Sequence, residues 1–138
     1  MAKKSEKKGE ELFLIDGNSL AYRAFFALPE SIATADGRPT NAIYGFASMM
    51  AKILIDHSPK AVIVAWDKGW SGREKVYAEY KSQRKSRPDL LKEQWPHLAP
   101  LAEAFGFQNV SVEGYEADDV IATLARHASD AGVPVMIV

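Results

Sequence analysis

Two short apolar runs, each closed by an aspartate, restrict the folds open to this chain more than any other feature. Leu12-Phe13-Leu14-Ile15 runs into Asp16, and Ala61-Val62-Ile63-Val64-Ala65-Trp66 runs into Asp67. A continuous, β-branched apolar run offers no polar face to water. It suits a strand covered on both faces, as in a parallel sheet. Parallel neighbours need crossover connections, and helical patterns lie between the runs.

Residues 19–28 are expected to form a short helix ending before Pro29. Ala35-Asp36-Gly37-Arg38-Pro39 is turn chemistry. Thr40 or Asn41 then caps a helix to about residue 57. Its apolar face is Ile43, Phe46, Met50, Ile53 and Leu54, the three-and-four spacing of a core-facing helix. Leu90–Phe105 is helical in pattern, with Pro96 and Pro100 breaking it or opening new turns. Asn109–Val112 is a weak strand. Glu116–Asp130 is the clearest helix, with Val120, Ile121, Leu124, Ala125 and Ala128 on one face, ended by Gly132 and Pro134. Val133–Val138 is a last apolar strand. The alternation predicts an α/β domain built on a parallel sheet. No internal repeat and no dividing linker is visible, and residues 1–11 read as a disordered polar tail.

In such sheets ligands sit beyond the carboxyl ends of the strands. Asp16 and Asp67 would therefore face one crevice. Glu116, Asp118 and Asp119 open the best helix; Glu116 and Asp119 share a face and Asp118 points elsewhere. Each of these acids has an ordinary alternative. An aspartate after a strand is often a turn residue or cap, and acids in a first helical turn complement the helix dipole. Together they demand more. Carboxylates at about 4 Å repel by roughly 4 kcal/mol per pair at an effective dielectric near 20. Hard divalent cations, Mg²⁺ or Mn²⁺, are the usual answer to clustered oxygen ligands. Such an ion can clamp a phosphoryl oxygen and acidify water. An ion-pair network without metal is the competing reading.

Charge sharpens the picture. The net charge of −1 hides a basic segment, residues 68–87, with seven Lys or Arg against two Glu. Trp70, Tyr77 and Tyr80 are interleaved with Lys68, Arg73, Lys75, Lys81, Arg84, Lys85 and Arg87. Aromatic faces that stack bases, beside cations that track phosphates, suit single-stranded nucleic acid. If the middle is helical, Tyr77, Lys81 and Arg84 share one face. A solvated basic loop is the plainer alternative. The chain has no cysteine, which excludes disulfides and thiolate sites. His57, His97 and His127 show no ligand spacing. No secretory signal or membrane span is legible, so a soluble cytoplasmic protein is expected.

The segments Leu12–Phe25, Gly37–Phe46, Ala61–Asp67, Tyr80–Arg84 and Gly114–Ala122 together resemble the 5′ nuclease family: the 5′–3′ exonuclease domains of bacterial polymerases and the flap endonucleases. G-Y-E-A-D-D at 114–119, with the strand-end aspartates in order, is the most specific part. The resemblance covers residues 12–138. It implies a resolvase-like or PIN-like three-layer α/β domain with a basic helical arch at about 68–88, truncated at its C-terminal end.

The resemblance also implies roles. Asp16, Asp67, Glu116 and Asp118 match first-metal carboxylates, and Asp119 matches a further acid that binds directly or through water. Lys81 and Arg84 match arch residues that stabilise the scissile phosphate. Tyr80 is placed to stack on substrate, and Arg23 is a weaker phosphate contact. Arg73, Tyr77, Lys85 and Arg87 complete the expected nucleic-acid surface. The implied activity is metal-dependent hydrolysis of DNA or RNA-primer phosphodiesters near a 5′ end, a 5′ flap or a single-strand/duplex junction, in replication and repair. A monomer, with a polymerase domain in the parent chain, is the implied setting.

Two departures stand out. Family members usually carry Asp-Ala after the second strand, whereas this chain has Asp67-Lys68 followed by Gly-Trp. The family pattern also continues after the last strand with a Thr-Ala/Gly-Asp-x-Asp segment that holds a second metal. The chain is therefore expected to be an N-terminal portion, encoding most of one metal position and weak or inactive alone. A non-catalytic nucleic-acid-binding module, using the basic segment while the acids serve as caps, is the reading from a different class.

Overall fold

The computed structural model describes residues 9–67 and 88–138. The expected arch, with Arg73, Tyr77, Tyr80, Lys81, Arg84, Lys85 and Arg87, lies outside the described residues.

Both apolar runs are strands. β1 is Leu12–Asp16 and β2 is Ala61–Ala65, paired in parallel from Leu12↔Ala61 to Asp16↔Ala65. Between them lie α1, Gly17–Ala27, and α2, Asn41–His57. After β2 come α3, Asp89–Gln94, a 3-10 turn Trp95–His97, and α4, Leu98–Ala104. β3, Gln108–Val110, leads to α5, Ala117–Asp130, and β4, Val135–Ile137. The sheet order is β3-β2-β1-β4, all parallel. The chain steps outward from β1 to β3, then returns to the other side of β1. This reversal puts the topological switch point beside the strand that ends in Asp16.

The core divides the molecule into three layers, as the strand composition requires. Phe13 and Ile15 of β1, with Val62 and Val64 of β2, pack against α1, α2 and α4 through Leu20, Phe46, Met50 and Leu98. Leu14 and Ala65 face the opposite way, onto Ala117, Val120 and Ile121 of α5. Alternate side chains of one strand thus bury into different helical layers. The large buried aromatic Phe46 would cost about 3–5 kcal/mol to cut back to alanine.

Element boundaries moved for identifiable reasons. α1 begins at Gly17 rather than residue 19, because Asp16 itself is its N-cap. Pro96 falls in the 3-10 turn, but Pro100 sits inside α4. It is the third residue there, where the backbone N–H has no helical acceptor to lose. Glu11, at the end of the expected tail, is buried, and its carbonyl accepts the Lys60 N–H at 2.9 Å, extending the β1–β2 ladder by one rung.

A buried polar cluster that the sequence pattern did not announce ties the first helical layer together. Asn41 and Gln94 are both buried. Asn41 Nδ2 donates to the carbonyls of Phe25 (2.9 Å) and Leu28 (3.2 Å) at the end of α1. Gln94 Nε2 donates to Asn41 Oδ1 at 2.9 Å. Gln94 Oε1 accepts the N–H groups of Ala42 (2.7 Å) and Ile43 (3.1 Å), which open α2. Thr40, the N-cap by position, makes no side-chain cap. A residue from α3 caps α2 in its place.

Candidate metal centre

The acids approach one another at the carboxyl end of the sheet. Asp16 ends β1, and its Oδ1 accepts the Ser19 N–H at 3.1 Å. Asp67 lies two residues beyond β2, and its Oδ1 accepts the Ala117 N–H at 2.7 Å. That bond draws the first turn of α5 over the ends of β1 and β2. Glu116 is the N-cap of α5 and forms a capping box with Asp119, whose Oδ2 accepts the Glu116 N–H at 3.3 Å.

Asp118 is the electrostatic centre of the group. Its carboxyl is raised from the ordinary value of 3.8, first by a hydrogen bond to Asp16 and repulsion from that same group. Partial desolvation follows, then repulsion from Asp67 and from Glu116. Like carboxylates in one crevice make one of them hold its proton. Asp16, Asp67, Glu116 and Asp118 are thus within electrostatic reach of a common point, Asp118. Asp119 is not among the groups acting on it, and its carboxylate is directed into the capping box.

The five acids do not enclose a cation as they stand. Among the described residues, no three His, Asp or Glu side chains are grouped at the spacing of a metal ligand set. Asp16, Asp67 and Asp119 each take a backbone N–H, and Glu116 takes part in the capping box. The donor chemistry nevertheless fits a hard divalent cation: all donors are carboxylate oxygens, each carboxylate with several lone pairs.

The turns carrying Asp16 and Asp67 are stitched together. Asn18 Oδ1 accepts the Asp67 N–H at 2.9 Å. The Trp66 ring lies against Gly17, where a Cβ would stand 2.7 Å from the ring, so only glycine fits. Trp66 Nε1–H donates to Asn109 Oδ1 at 2.8 Å, and Asn109 Nδ2 donates to the Ala99 carbonyl at 2.8 Å. Sequence reading passed over Asn18, Trp66 and Asn109. The available signal was a glycine directly after a strand-end aspartate and an indole needing a partner.

Arg23 is exposed on α1, about 10 Å along the helix axis from Asp16 at 1.5 Å per residue. It lines a groove with Met49, Lys52 and Met136 and is not gathered with the acids.

Carboxylates collected outside the carboxyl ends of a parallel sheet, beneath a helix N-terminus, define a class of α/β domain with its ligand site in that crevice. The family model for the 5'-3' exonuclease, N-terminal resolvase-like domain, matches residues 11–138, and the chain belongs to that family. DNA polymerase I of Caldicellulosiruptor bescii is 45% identical over 129 residues, covering 93% of this chain and 15% of that protein. DNA polymerase I of Bacillus subtilis is 44% identical over 129 residues, 93% of this chain and 14% of that protein. A 5'-3' exonuclease of Aquifex aeolicus is 44% identical over 127 residues, 91% of this chain and 44% of that protein. The chain therefore spans a small part of the polymerases and under half of the exonuclease.

Among solved structures, T5 5'-exonuclease with bound divalent metal ions (zinc) superposes with a TM-score of 0.56 at 19% identity, covering 87% of this chain and 45% of that one. The bacteriophage T5 flap endonuclease, in a complex with DNA and metal ions, gives 0.58 at 22% identity, covering 92% and 47%. These likenesses establish the resolvase-like sheet and helices. No helix among the described residues is long and apolar enough to cross a membrane.

Proposed function

We propose that this chain carries one cation position of a metal-dependent 5′–3′ nuclease acting on DNA. Asp16, Asp67, Glu116 and Asp118 are its ligands, Mg²⁺ or Mn²⁺ its cation, and Asp119 supports the helix that presents Glu116 and Asp118. The observation that carries this reading is the mutual electrostatic pressure at Asp118, exerted by Asp16, Asp67 and Glu116 from three different elements. Acids used only as caps would have no reason to converge from β1, the turn after β2 and the first turn of α5.

The chain's residues prepare the site in three ways. The Asp67–Ala117 hydrogen bond fixes α5 over the strand ends. The N-terminal dipole of α5 favours negative charge, so it supports ligand carboxylates and an incoming phosphate alike. Asp16, Asp67 and Glu116 press on Asp118, and a bound cation would relieve that repulsion. When bound, a divalent cation there would neutralise the carboxylates, hold a phosphodiester oxygen and acidify water. The basic segment with Tyr80, Lys81 and Arg84 would bring a 5′ strand, flap or single-strand/duplex junction to the site, releasing a 5′-phosphate. The complete enzyme would carry a second cation position. The parent protein would carry a polymerase domain, as its polymerase I relatives suggest, and would act in the cytoplasm as a monomer.

Calorimetric titration with Mn²⁺ tests the ligand set. Binding heat is expected for the wild type and lost in Asp67→Ala; heat surviving that change would sink the assignment. A 5′-flap DNA with Mg²⁺ tests the activity. Any cleavage that persists in Asp16→Ala would rule out this site as its source.

A further inference from the structure

Asp67 is held at both its backbone and its carboxylate. The carboxylate reaches forward to α5, where Oδ1 accepts the Ala117 N–H at 2.7 Å. The backbone is held from behind, its N–H donating to Asn18 Oδ1 at 2.9 Å. Asn18 lies in the first turn of α1, two residues past Asp16. One side chain therefore spans from the turn that carries one acid to the residue that is the other.

The span matters because the sheet no longer restrains Asp67. The β1–β2 register ends at Asp16↔Ala65. Trp66 still follows the ladder toward β3, its N–H donating to the Val110 carbonyl at 2.9 Å. Its ring is wedged against Gly17 and anchored through Asn109. Trp66 thus sets how close the two turns stand. The next peptide is free of the ladder, and its plane decides where the Asp67 side chain points. Asn18 takes the N–H of that peptide.

We propose that Asn18 is a positioning residue for the metal centre: by binding the Asp67 N–H it fixes the Asp67 carboxylate opposite Asp16. The role rests on the metal reading above. Side chains that orient ligands typically change metal affinity 10–100-fold when removed. Asn18 is half-buried, and removing it opens no core cavity.

The test uses the 138-residue chain, Mn²⁺ titration and amide hydrogen exchange. Asn18→Ala is expected to weaken Mn²⁺ binding about 10-fold and to accelerate exchange at the Asp67 amide, while the metal-free melting midpoint moves by only a few degrees. Asn18→Asp keeps an acceptor oxygen; it should keep the Asp67 amide protected and bind Mn²⁺ no more weakly than the wild type. A melting midpoint lowered in Asn18→Ala with unchanged Mn²⁺ affinity would show a merely structural residue and overturn the proposal. So would an Asp67 amide that stays protected in Asn18→Ala. Asp67→Ala separates the two levels: if Mn²⁺ heat survives there, the metal reading itself fails, whereas heat lost there but unchanged in Asn18→Ala defeats the Asn18 role alone.

Discussion

Two polar clusters in this small domain are built on opposite plans. The Asn41–Gln94 pair is buried, uncharged and hydrogen-bonded throughout, and its bonds to the carbonyls of Phe25 and Leu28 and to the N–H groups of Ala42 and Ile43 serve helix ends. The group around Asp118 is half-exposed, charged and under mutual repulsion. The first arrangement resembles what folding alone would select, since buried polar groups are stable only when satisfied. The second costs stability as it stands. A protein keeps such a cluster where a ligand relieves the repulsion. On the proposed reading the contrast sets structural polarity against polarity kept for a ligand, and it makes opposite predictions for the two regions.

The largest expected effect is in the buried cluster. Asn41→Ala strips a partner from each of the Phe25 and Leu28 carbonyls and one of the two partners of Gln94 Nε2, which keeps the Leu90 carbonyl. Orphaned buried groups cost about 1–3 kcal/mol each, so a total loss of about 2–4 kcal/mol is expected after relaxation. Urea titration measures it. Mn²⁺ affinity of the folded fraction should be unchanged, because the pair touches none of the acids. An affinity loss as large as that of Asp67→Ala would merge the two regions and erase the distinction.

Metal should act only on the other cluster. At a free Mn²⁺ concentration 100-fold above Kd, linkage predicts about 2.7 kcal/mol of added stability. The melting midpoint should then rise by about 10 °C for a domain of this size. The rise should disappear on chelation and be absent in Asp67→Ala. Scanning calorimetry with and without metal decides it. A rise of equal size in Asp67→Ala would place the cation elsewhere.

The two regions also differ in how far the sequence disclosed them. The acids were legible because each sits where an apolar run stops or a helix starts, and those punctuation points are local. Asp16 and Asp67 could be assigned to one crevice as soon as both runs were read as parallel strands. The fold followed from the same runs, since Phe13 and Ile15 bury into one layer and Leu14 into the other. Asn41 and Gln94 were opaque for the opposite reason. They meet across 53 residues, and a single polar residue within a helix pattern announces no partner. Trp66 and Asn109, 43 residues apart, were hidden likewise. The division of labour among Glu116, Asp118 and Asp119 was only half visible. Their spacing put Glu116 and Asp119 on one face, but the capping box that engages both comes from side-chain geometry that spacing alone leaves open.

That division gives a smaller effect. Asp119→Ala removes half of the capping box and should cost about 1 kcal/mol, the usual worth of a cap. Asp118→Ala removes no cap. If Asp119 serves the helix and Asp118 the cation, the first should lower stability with less than about a threefold change in Mn²⁺ affinity, and the second should weaken binding at least about tenfold, the scale set for ligand-site changes. Equal affinity losses would return Asp119 to the ligand set that the sequence first suggested.

The smallest effect is the most diagnostic, because its sign is unusual. Asp118→Asn keeps the shape of the side chain and removes its charge, and with it the repulsion from Asp16, Asp67 and Glu116. Without metal the variant should be more stable than the wild type at neutral pH, by less than about 1 kcal/mol because the group is exposed and solvent screens it. The pH dependence follows from the direction of the Asp118 shift. Its folded-state pKa lies above the ordinary 3.8, so the folded protein binds this proton more tightly than the unfolded chain does. The stability contributed by that proton is fully present below 3.8 and is lost as pH rises through the folded value. The advantage of Asp118→Asn should therefore be widest at neutral pH and shrink towards zero as the wild-type carboxyl is protonated in both states. With saturating Mn²⁺ the order should invert, since the wild type then gains a ligand that the variant lacks. Melting curves across pH, with and without metal, would show whether this crossing occurs. Its absence would mean that the acids repel one another to no purpose a cation can serve, and the contrast between the two clusters would lose its functional half.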